Sequence, residues 1–66
     1  MNIPMLKGKF VENGLNVESV AEMIGIDRSS LYRKLNNGEK ITCGEAKRIR
    51  NALNLSDKEA VIIFLS

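Results

Sequence analysis

Four side chains between positions 28 and 33 have the types and the spacing that reading a DNA base pair requires. Arg28 and Arg33 carry planar guanidinium groups that can bond both O6 and N7 of a guanine. Ser29 can donate to or accept from a base or a phosphate. Tyr32 and Arg33 follow Arg28 and Ser29 by one helical turn, so a helix would present all four on one side. We expect these four residues to contact bases, with Arg28 and Arg33 dominating the specificity.

The same residues also fit an ordinary helix surface. Arg28 could pair with the neighbouring carboxylate of Asp27 or Glu22, and the ring of Tyr32 could pack against the first or the fourth helix. The two serines after Arg28 could serve only to start the helix. Exposed side chains favour the first interpretation, and buried or tightly paired ones favour the second.

Phosphate contacts need main-chain N–H groups at the start of a helix and cations at the rim of the reading surface. The sequence offers such groups at the start of the second helix, on the flank of the third, in the following loop, and at the start of the fourth. The candidate phosphate contacts are Asn16, Val17, Lys34, Lys40, Thr42 and Cys43. A solvated surface side chain is the alternative for Lys34.

Two short helices with a glycine between them must hold these side chains. The pattern predicts helix over residues 17–24, a turn at Gly25, and a second helix over residues 28–36. Leu31 and Leu35 form the inner stripe of the second of these helices. Such a pair has the build of a helix-turn-helix, whose second helix can lie in the DNA major groove.

Three further helices are predicted around this pair. The first starts at Pro4 and ends at Gly14. Thr42 and Ser56 are each followed three residues later by glutamate, which is the spacing of a capping box and places the starts of the fourth and fifth helices. The apolar run over residues 60–65 is alternatively a strand. The sequence therefore predicts an all-α domain of five helices, with four helices and a strand as the second choice.

The apolar residues at helical spacing predict the core. Those on the inner faces of the helices are Leu6, Phe10, Val20, Ala21, Ile24, Leu31, Leu35, Ala46, Ile49 and Leu53. Leu15, Ile26 and Ile41 lie in the predicted connections and are expected to turn inward. Either Ile62 or Ile63 is expected to pack on the first helix.

Charge is distributed unevenly along the 66 residues, although the net charge is only +2. Residues 1–27 carry two cations against four carboxylates, whereas residues 28–53 carry seven cations against two carboxylates. The cationic excess begins where the proposed reading helix begins, as a surface for a polyanion requires. Lys47, Arg48 and Arg50 of this stretch are expected to face outward. A chain of this length is expected to form one domain, residues 1–66.

Composition argues against several classes of protein. The chain has no histidine, no glycine-rich phosphate loop and no isolated pair of carboxylates, so we expect no enzyme and no cofactor, metal or small-molecule ligand. Cys43 is the only cysteine, which excludes an internal disulfide and fits a reducing compartment. The longest apolar run is too short to span a bilayer. We therefore expect a cytoplasmic protein with no membrane partner.

The chain resembles the Cro and phage-repressor type of lambda repressor-like DNA-binding domains. The likeness spans nearly the whole chain and rests on residues 14–16 before the second helix, Ala21 within it, residues 25–26 in the turn, Leu31, and residues 37–38. Residues 6–12 and 31–37 also look like segments of small Cro-like proteins from phages of Gram-positive bacteria.

The resemblance implies roles for individual residues and a mode of action. Positions matching Arg28, Ser29 and Arg33 read bases in that family, and those matching Asn16, Val17 and Lys40 hold phosphates. It also implies a homodimer on a palindromic operator, with repression of transcription in a phage or prophage switch.

One position departs from the family. Many members have an apolar residue where this chain has Lys34, and here the apolar residue comes one place later, at Leu35. In this respect residues 23–35 are similar to the helix-turn-helix of Fis and of the nitrogen-regulator activators, which place the motif at the end of their domains. The departure leaves open how the third helix is rotated in the groove and whether Tyr32 or Arg33 ranks higher.

A second function fits the same sequence. The chain could be a protein-interaction module, such as an antitoxin or anti-repressor, that keeps the fold without reading DNA. Its support is the apolar run of residues 61–65, because five such side chains cannot all face one small core. This run, or the junction at residues 54–57, could also form the contact of a homodimer.

Overall fold

Five α-helices follow one another in a computed structural model that describes residues 1–65. They are α1 (Ile3–Glu12), α2 (Val17–Ile24), α3 (Arg28–Asn36), α4 (Cys43–Leu53) and α5 (Asp57–Phe64). No strand occurs within these 65 residues, so the all-α prediction is confirmed there and the alternative of a final strand is wrong. None of the helices in this part of the chain is long and apolar enough to cross a membrane.

Side-chain caps set the starts of the helices. The predicted capping boxes are present at α4, between Thr42 and Glu45, and at α5, between Ser56 and Glu59. In each, the hydroxyl accepts from a main-chain N–H inside the helix and the glutamate accepts from the N–H of the cap residue. The start predicted for α1 is one residue late, because Asn2 Oδ1 accepts from the Met5 N–H at 3.2 Å and allows the helix to begin at Ile3.

A three-residue turn joins α2 to α3. Gly25 ends α2 with φ at 75°, a left-handed conformation that glycine adopts without the clash of a Cβ. The N–H of Ile26 donates back to the Ala21 carbonyl at 3.0 Å, and Asp27 Oδ2 then accepts from the Ser29 N–H at 3.1 Å to start α3. The turn predicted from these residue types is confirmed.

The core lies where α2 packs against α3 and α4, with α1 against α5. Its buried side chains are Leu6, Phe10, Val20, Ala21, Ile24, Leu31, Leu35, Ile49, Leu53, Leu55 and Ile63. Every residue of the predicted inner stripes belongs to this set except Ala46, which is half-buried. Leu15, Ile26 and Ile41 pack on the core from partly buried positions. Leu55 was not predicted; it follows Asn54, whose left-handed conformation at φ 53° turns the chain inward.

The apolar run of α5 divides between the core and the surface, as predicted. Ile63 is fully buried, and its carbonyl accepts from the Asn2 N–H at 2.7 Å, which ties α5 to the start of α1. Val61, Ile62 and Leu65 stay exposed, Leu65 most of all at 78%. The alternation follows from helical spacing, which can turn only one side of α5 to a core of this size.

Candidate nucleic-acid interface

We call the side of α3 that carries Arg28, Ser29, Tyr32 and Arg33 the outer face. All four side chains are exposed there, and the Tyr32 ring is 60% exposed. Leu31 lies on the opposite side of the helix and is fully buried. The alternative in which Tyr32 packs against the first or fourth helix is therefore wrong. α3 presents the four residues together because they are spaced by one turn and capped by Asp27.

The outer face and the start of α2 border one shallow, open depression of about 580 Å³. Its lining residues are Asn16, Val17, Glu18, Arg28, Ser29, Tyr32 and Arg33. The depression therefore contains all four predicted base contacts and two of the predicted phosphate contacts. The guanidinium, hydroxyl and amide groups of this lining can donate hydrogen bonds to a polar ligand, and Glu18 adds one carboxylate beside them. Among residues 1–65, no three His, Cys, Asp or Glu side chains are grouped as a metal site requires.

The start of α2 contributes an ordered helix terminus to this depression. Asn16 Oδ1 accepts from the Ser19 N–H at 2.8 Å, and Ser19 Oγ accepts from the Asn16 N–H at 2.9 Å. These two bonds use the Oδ1 and the main-chain N–H of Asn16, so its Nδ2 group is the donor left for a phosphate. The Val17 N–H lies at the positive end of the helix dipole, where an anion is favoured.

Both arginines of the outer face are paired with carboxylates that lie outside α3. Arg28 Nη1 is 3.4 Å from Glu18 Oε2, and Arg33 Nε is 3.4 Å from Glu39 Oε2. The prediction that Arg28 could pair with Asp27 or Glu22 is wrong about the partner. Asp27 caps α3 instead, and Arg28 pairs with Glu18 of α2. Each pair is open to water, so it is weak and leaves most of the N–H donors of each guanidinium available.

Lys34 has a different environment from the arginines. Its side chain is 17% exposed, and its ammonium donates to the Lys40 carbonyl at 3.0 Å and lies 3.3 Å from Glu45 Oε1. Glu45 Oε1 also accepts from the Thr42 N–H at 2.9 Å. We call Lys34, the Lys40 carbonyl, Thr42 and Glu45 the α3–α4 brace. The alternative of a solvated Lys34 is wrong. A phosphate contact by Lys34 stays a prediction, although the Lys40 carbonyl and Glu45 already engage its ammonium within the protein.

The brace also changes the acidity of Glu45. The hydrogen bond from the Thr42 main chain, with help from the Lys34 ammonium, holds the pKa of Glu45 below its usual value, although partial burial acts in the other direction. The carboxylate therefore stays ionised and keeps its partners. The Lys34 side chain is largely buried, and its ammonium reaches the loop beyond α3.

The other predicted phosphate contacts lie apart from the first depression. Lys40, Thr42 and Cys43 are exposed and line a second hollow of about 460 Å³, which is bordered mainly by apolar side chains. Thr42 Oγ1 accepts from the Glu45 N–H at 3.1 Å, so the capping box already uses the Thr42 side chain. The structure thus brings the start of α2 to the outer face and does not bring the start of α4 into the same depression.

Two cations expected to face outward also bond within the protein. Arg48 Nη1 donates to the Ile24 carbonyl at 2.9 Å and satisfies an acceptor at the end of α2. Arg50 is paired with Asp57 across the junction between α4 and α5. The cationic excess after residue 27 is therefore shared between the outer face and contacts that join helices.

Sequence reasoning missed Glu18 and Glu39 as members of the site. Ten residues separate Glu18 from Arg28 along the chain, so no local spacing rule connects the two. Their charge, opposite to that of the neighbouring helix, was the one available signal.

No family model matches this chain, and no curated protein and no solved structure shows significant similarity to it. The case for the site therefore depends on the residues and the geometry described above.

Proposed function

We propose that this protein is a sequence-specific DNA-binding regulator that inserts α3 into the major groove. In this proposal α2, the Gly25 turn and α3 form a helix-turn-helix of the lambda repressor-like type. The observation that carries the proposal is the exposure of Arg28, Ser29, Tyr32 and Arg33 on the side of α3 turned away from the core, next to the start of α2. Side chains that do not pack in the core are accessible to a ligand.

The dimensions and chemistry of α3 support this function. With its side chains an α-helix is about 10–12 Å across, which fits the major groove at about 12 Å, and the nine residues of α3 extend roughly 13 Å within it. Arg28 lies in the first turn, from which helices of this type reach base edges, and its fork matches O6 and N7 of guanine. Ser29 can bond a base or a phosphate, and the Tyr32 ring offers apolar contact to a thymine methyl group. Arg33 can reach a base or a backbone oxygen.

Phosphates would flank this contact. Asn16 and Val17 at the start of α2 supply N–H donors beside the outer face, and Lys40 supplies a cation in the loop after α3. Cys43 would contribute its main-chain N–H at the start of α4, and Thr42 its hydroxyl hydrogen, because Glu45 already accepts from the Thr42 N–H. Such contacts orient a protein on the duplex without selecting a sequence.

The decisive experiment is selection of bound duplexes from a randomised pool, followed by titration at several salt concentrations. A DNA-binding protein enriches one sequence, and its affinity falls steeply with salt because each neutralised phosphate releases counterions. An unenriched pool, or an affinity that salt does not change, would overturn the proposal.

The resemblance also leads us to propose a homodimeric repressor acting in a phage or prophage switch in the cytoplasm. The exposed side chains Val61, Ile62 and Leu65, or the junction over residues 54–57, would form the contact between protomers. Footprinting is then expected to reveal two half-sites about one helical turn, roughly 34 Å, apart. One asymmetric half-site would contradict the dimer.

The second candidate function is a protein-interaction module that does not read DNA. The exposed apolar side of α5, with Val61 at 54% and Leu65 at 78%, favours it. Under this function Val61→Asp would abolish partner binding and Arg28→Ala would leave it unchanged. DNA binding in the selection experiment decides between the two candidates.

A further inference from the structure

We propose that Glu18 and Glu39 determine specificity by restraining the two reading arginines and discouraging their contact with phosphate. This inference rests on the proposed function, because it assigns a role in DNA recognition to two carboxylates that neither the motif nor the resemblance identified. It concerns the ratio between the affinities for operator and for random DNA.

The geometry places one carboxylate at each end of the outer face. Glu18 reaches Arg28 from the first turn of α2, and Glu39 reaches Arg33 from the loop after α3, both at 3.4 Å. Because neither carboxylate belongs to α3, both pairs depend on how the chain folds around that helix. The two arginines proposed to read bases are therefore both paired in the free protein.

Helix capping does not account for the positions of Glu18 and Glu39, because neither carboxylate belongs to a capping box. Glu45 and Glu59 complete capping boxes and hold Lys34 and Lys9. The box at the start of α2 instead uses Asn16 and Ser19, and Glu18 remains 69% exposed with its carboxylate directed to Arg28. Glu18 also lies near the positive end of the α2 dipole, a benefit to stability that any carboxylate in the first turn supplies.

Binding to random DNA draws its free energy from neutralising phosphates. A carboxylate 3.4 Å from a guanidinium cancels much of the positive field that would attract a phosphate, and it repels any phosphate that approaches the pair. Glu18 and Glu39 therefore lower the affinity of the outer face for a DNA backbone of any sequence.

Glu18 and Glu39 weaken contact with a guanine edge much less than contact with a phosphate. The guanine edge carries no net charge, so the carboxylate does not repel it as strongly as a phosphate. Each ion pair engages one N–H at long range, which leaves further donors of the guanidinium for O6 and N7. The carboxylate also restricts the rotamers of a long side chain, which reduces the entropy lost when the arginine settles on a base.

The test compares Glu18→Gln, Glu39→Gln and the double variant with the wild type. Glu22→Gln is the matched control, since Glu22 is an exposed carboxylate of α2 that does not line the depression. For each protein, dissociation constants are measured at one salt concentration for the selected operator and for a random duplex of the same length. Partial unfolding lowers both affinities equally, so the ratio of the two isolates recognition from stability.

Each single variant is expected to bind the random duplex about two- to five-fold more tightly, a factor set by the usual strength of an exposed charge pair. The operator should gain less, so the specificity ratio falls, and it should fall further in the double variant. Glu22→Gln should leave the ratio at the wild-type value. The gain on random DNA should shrink as salt rises.

If Glu18→Gln, Glu39→Gln and Glu22→Gln all change both affinities by one common factor, the carboxylates act only through net charge and the inference is overturned. An unchanged or increased specificity ratio in the double variant would also overturn it. Failure of the wild type to bind any duplex contradicts the proposed function itself, and that result is visible before any variant is made.

Discussion

Arg33 and Lys34 are consecutive cations on α3, but one side chain lies on the outer face and the other contacts the loop that leads to α4. Arg33 and its partner Glu39 are 54% and 51% exposed, whereas Lys34 and its partner Glu45 are 17% and 13% exposed. The first pair is screened by water and its arginine can change partners. The second pair adds a hydrogen bond to a main-chain carbonyl and closes the brace.

The difference shows that charge alone does not identify a binding residue. An exposed ion pair is worth little in water, so its arginine can exchange a carboxylate for a base edge. If the partly buried Lys34 turned outward, the Lys40 carbonyl would lose its donor and the Glu45 carboxylate would lose its cation. Of the two neighbouring cations, Arg33 is therefore the better suited to contact a ligand.

Substitutions on the inner and outer sides of α3 should differ most in their effect on the free energy of unfolding. Leu31→Ala should lower the free energy of unfolding by about 2–5 kcal/mol, because Leu31 is fully buried and alanine leaves a cavity. Tyr32→Ala should change it by less than about 0.5 kcal/mol, since the ring is exposed. Urea denaturation of both variants measures this. Equal destabilisation by the two substitutions would break the distinction between the inner and outer sides.

The next effect concerns binding at the outer face. Arg28→Ala should cost about 1–3 kcal/mol of discrimination between the selected operator and random DNA, the usual worth of a bidentate contact to guanine. Arg28→Lys is the matched control, because it keeps the charge and loses the fork. It should retain the affinity for random DNA and lose specificity. A uniform loss on both duplexes would reassign Arg28 to phosphate contact.

A smaller effect separates the two neighbouring cations. Lys34→Met keeps an aliphatic stem but removes the ammonium, so it should destabilise the fold by about 1 kcal/mol, because the Lys40 carbonyl loses its donor and Glu45 loses its cation. Arg33→Met should leave stability within about 0.5 kcal/mol. Thermal unfolding distinguishes them. A Lys34→Met protein as stable as the wild type would mean that the brace contributes nothing to folding.

The smallest effect is a dependence of stability on acid. The pKa of Glu45 lies below the ordinary 4.5, and the Lys9 ammonium with the Ser56 N–H lowers the pKa of Glu59 to about 2. Both carboxylates therefore stabilise the fold above pH 4.5, where the unfolded chain is ionised too. This stability is lost as pH falls from 4.5 toward the lower folded-state values, because the unfolded chain takes up protons first.

Urea denaturation between pH 5 and pH 2 measures this slope. Glu45→Gln removes one of the two titrating groups, so stability should fall less steeply with acid in this variant than in the wild type. Identical slopes would show that the brace does not depend on the charge of Glu45.

Local signals accounted for most of the fold. The caps of α4 and α5, the Asn16 and Asp27 caps, and the left-handed Gly25 each involve atoms within a few residues of one another, so residue type and spacing suffice to predict them. The start of α1 was placed one residue late because the pattern gave weight to proline and overlooked Asn2. Leu55 was missed because it follows a helix and belongs to no helical stripe.

The sequence by itself determined which residues of α3 point away from the core, since Leu31 and Leu35 claim the opposite side at helical spacing. Only the tertiary structure decided which carboxylate each cation meets. Glu18, Glu22 and Asp27 all carry the charge that Arg28 needs, and the choice among them depends on how α2 crosses α3 and on the engagement of Asp27 as a cap. The inward position of Lys34 likewise depends on tertiary structure. Its partners, Glu45 and the Lys40 carbonyl, lie outside α3 and come within reach only when α4 packs beside it.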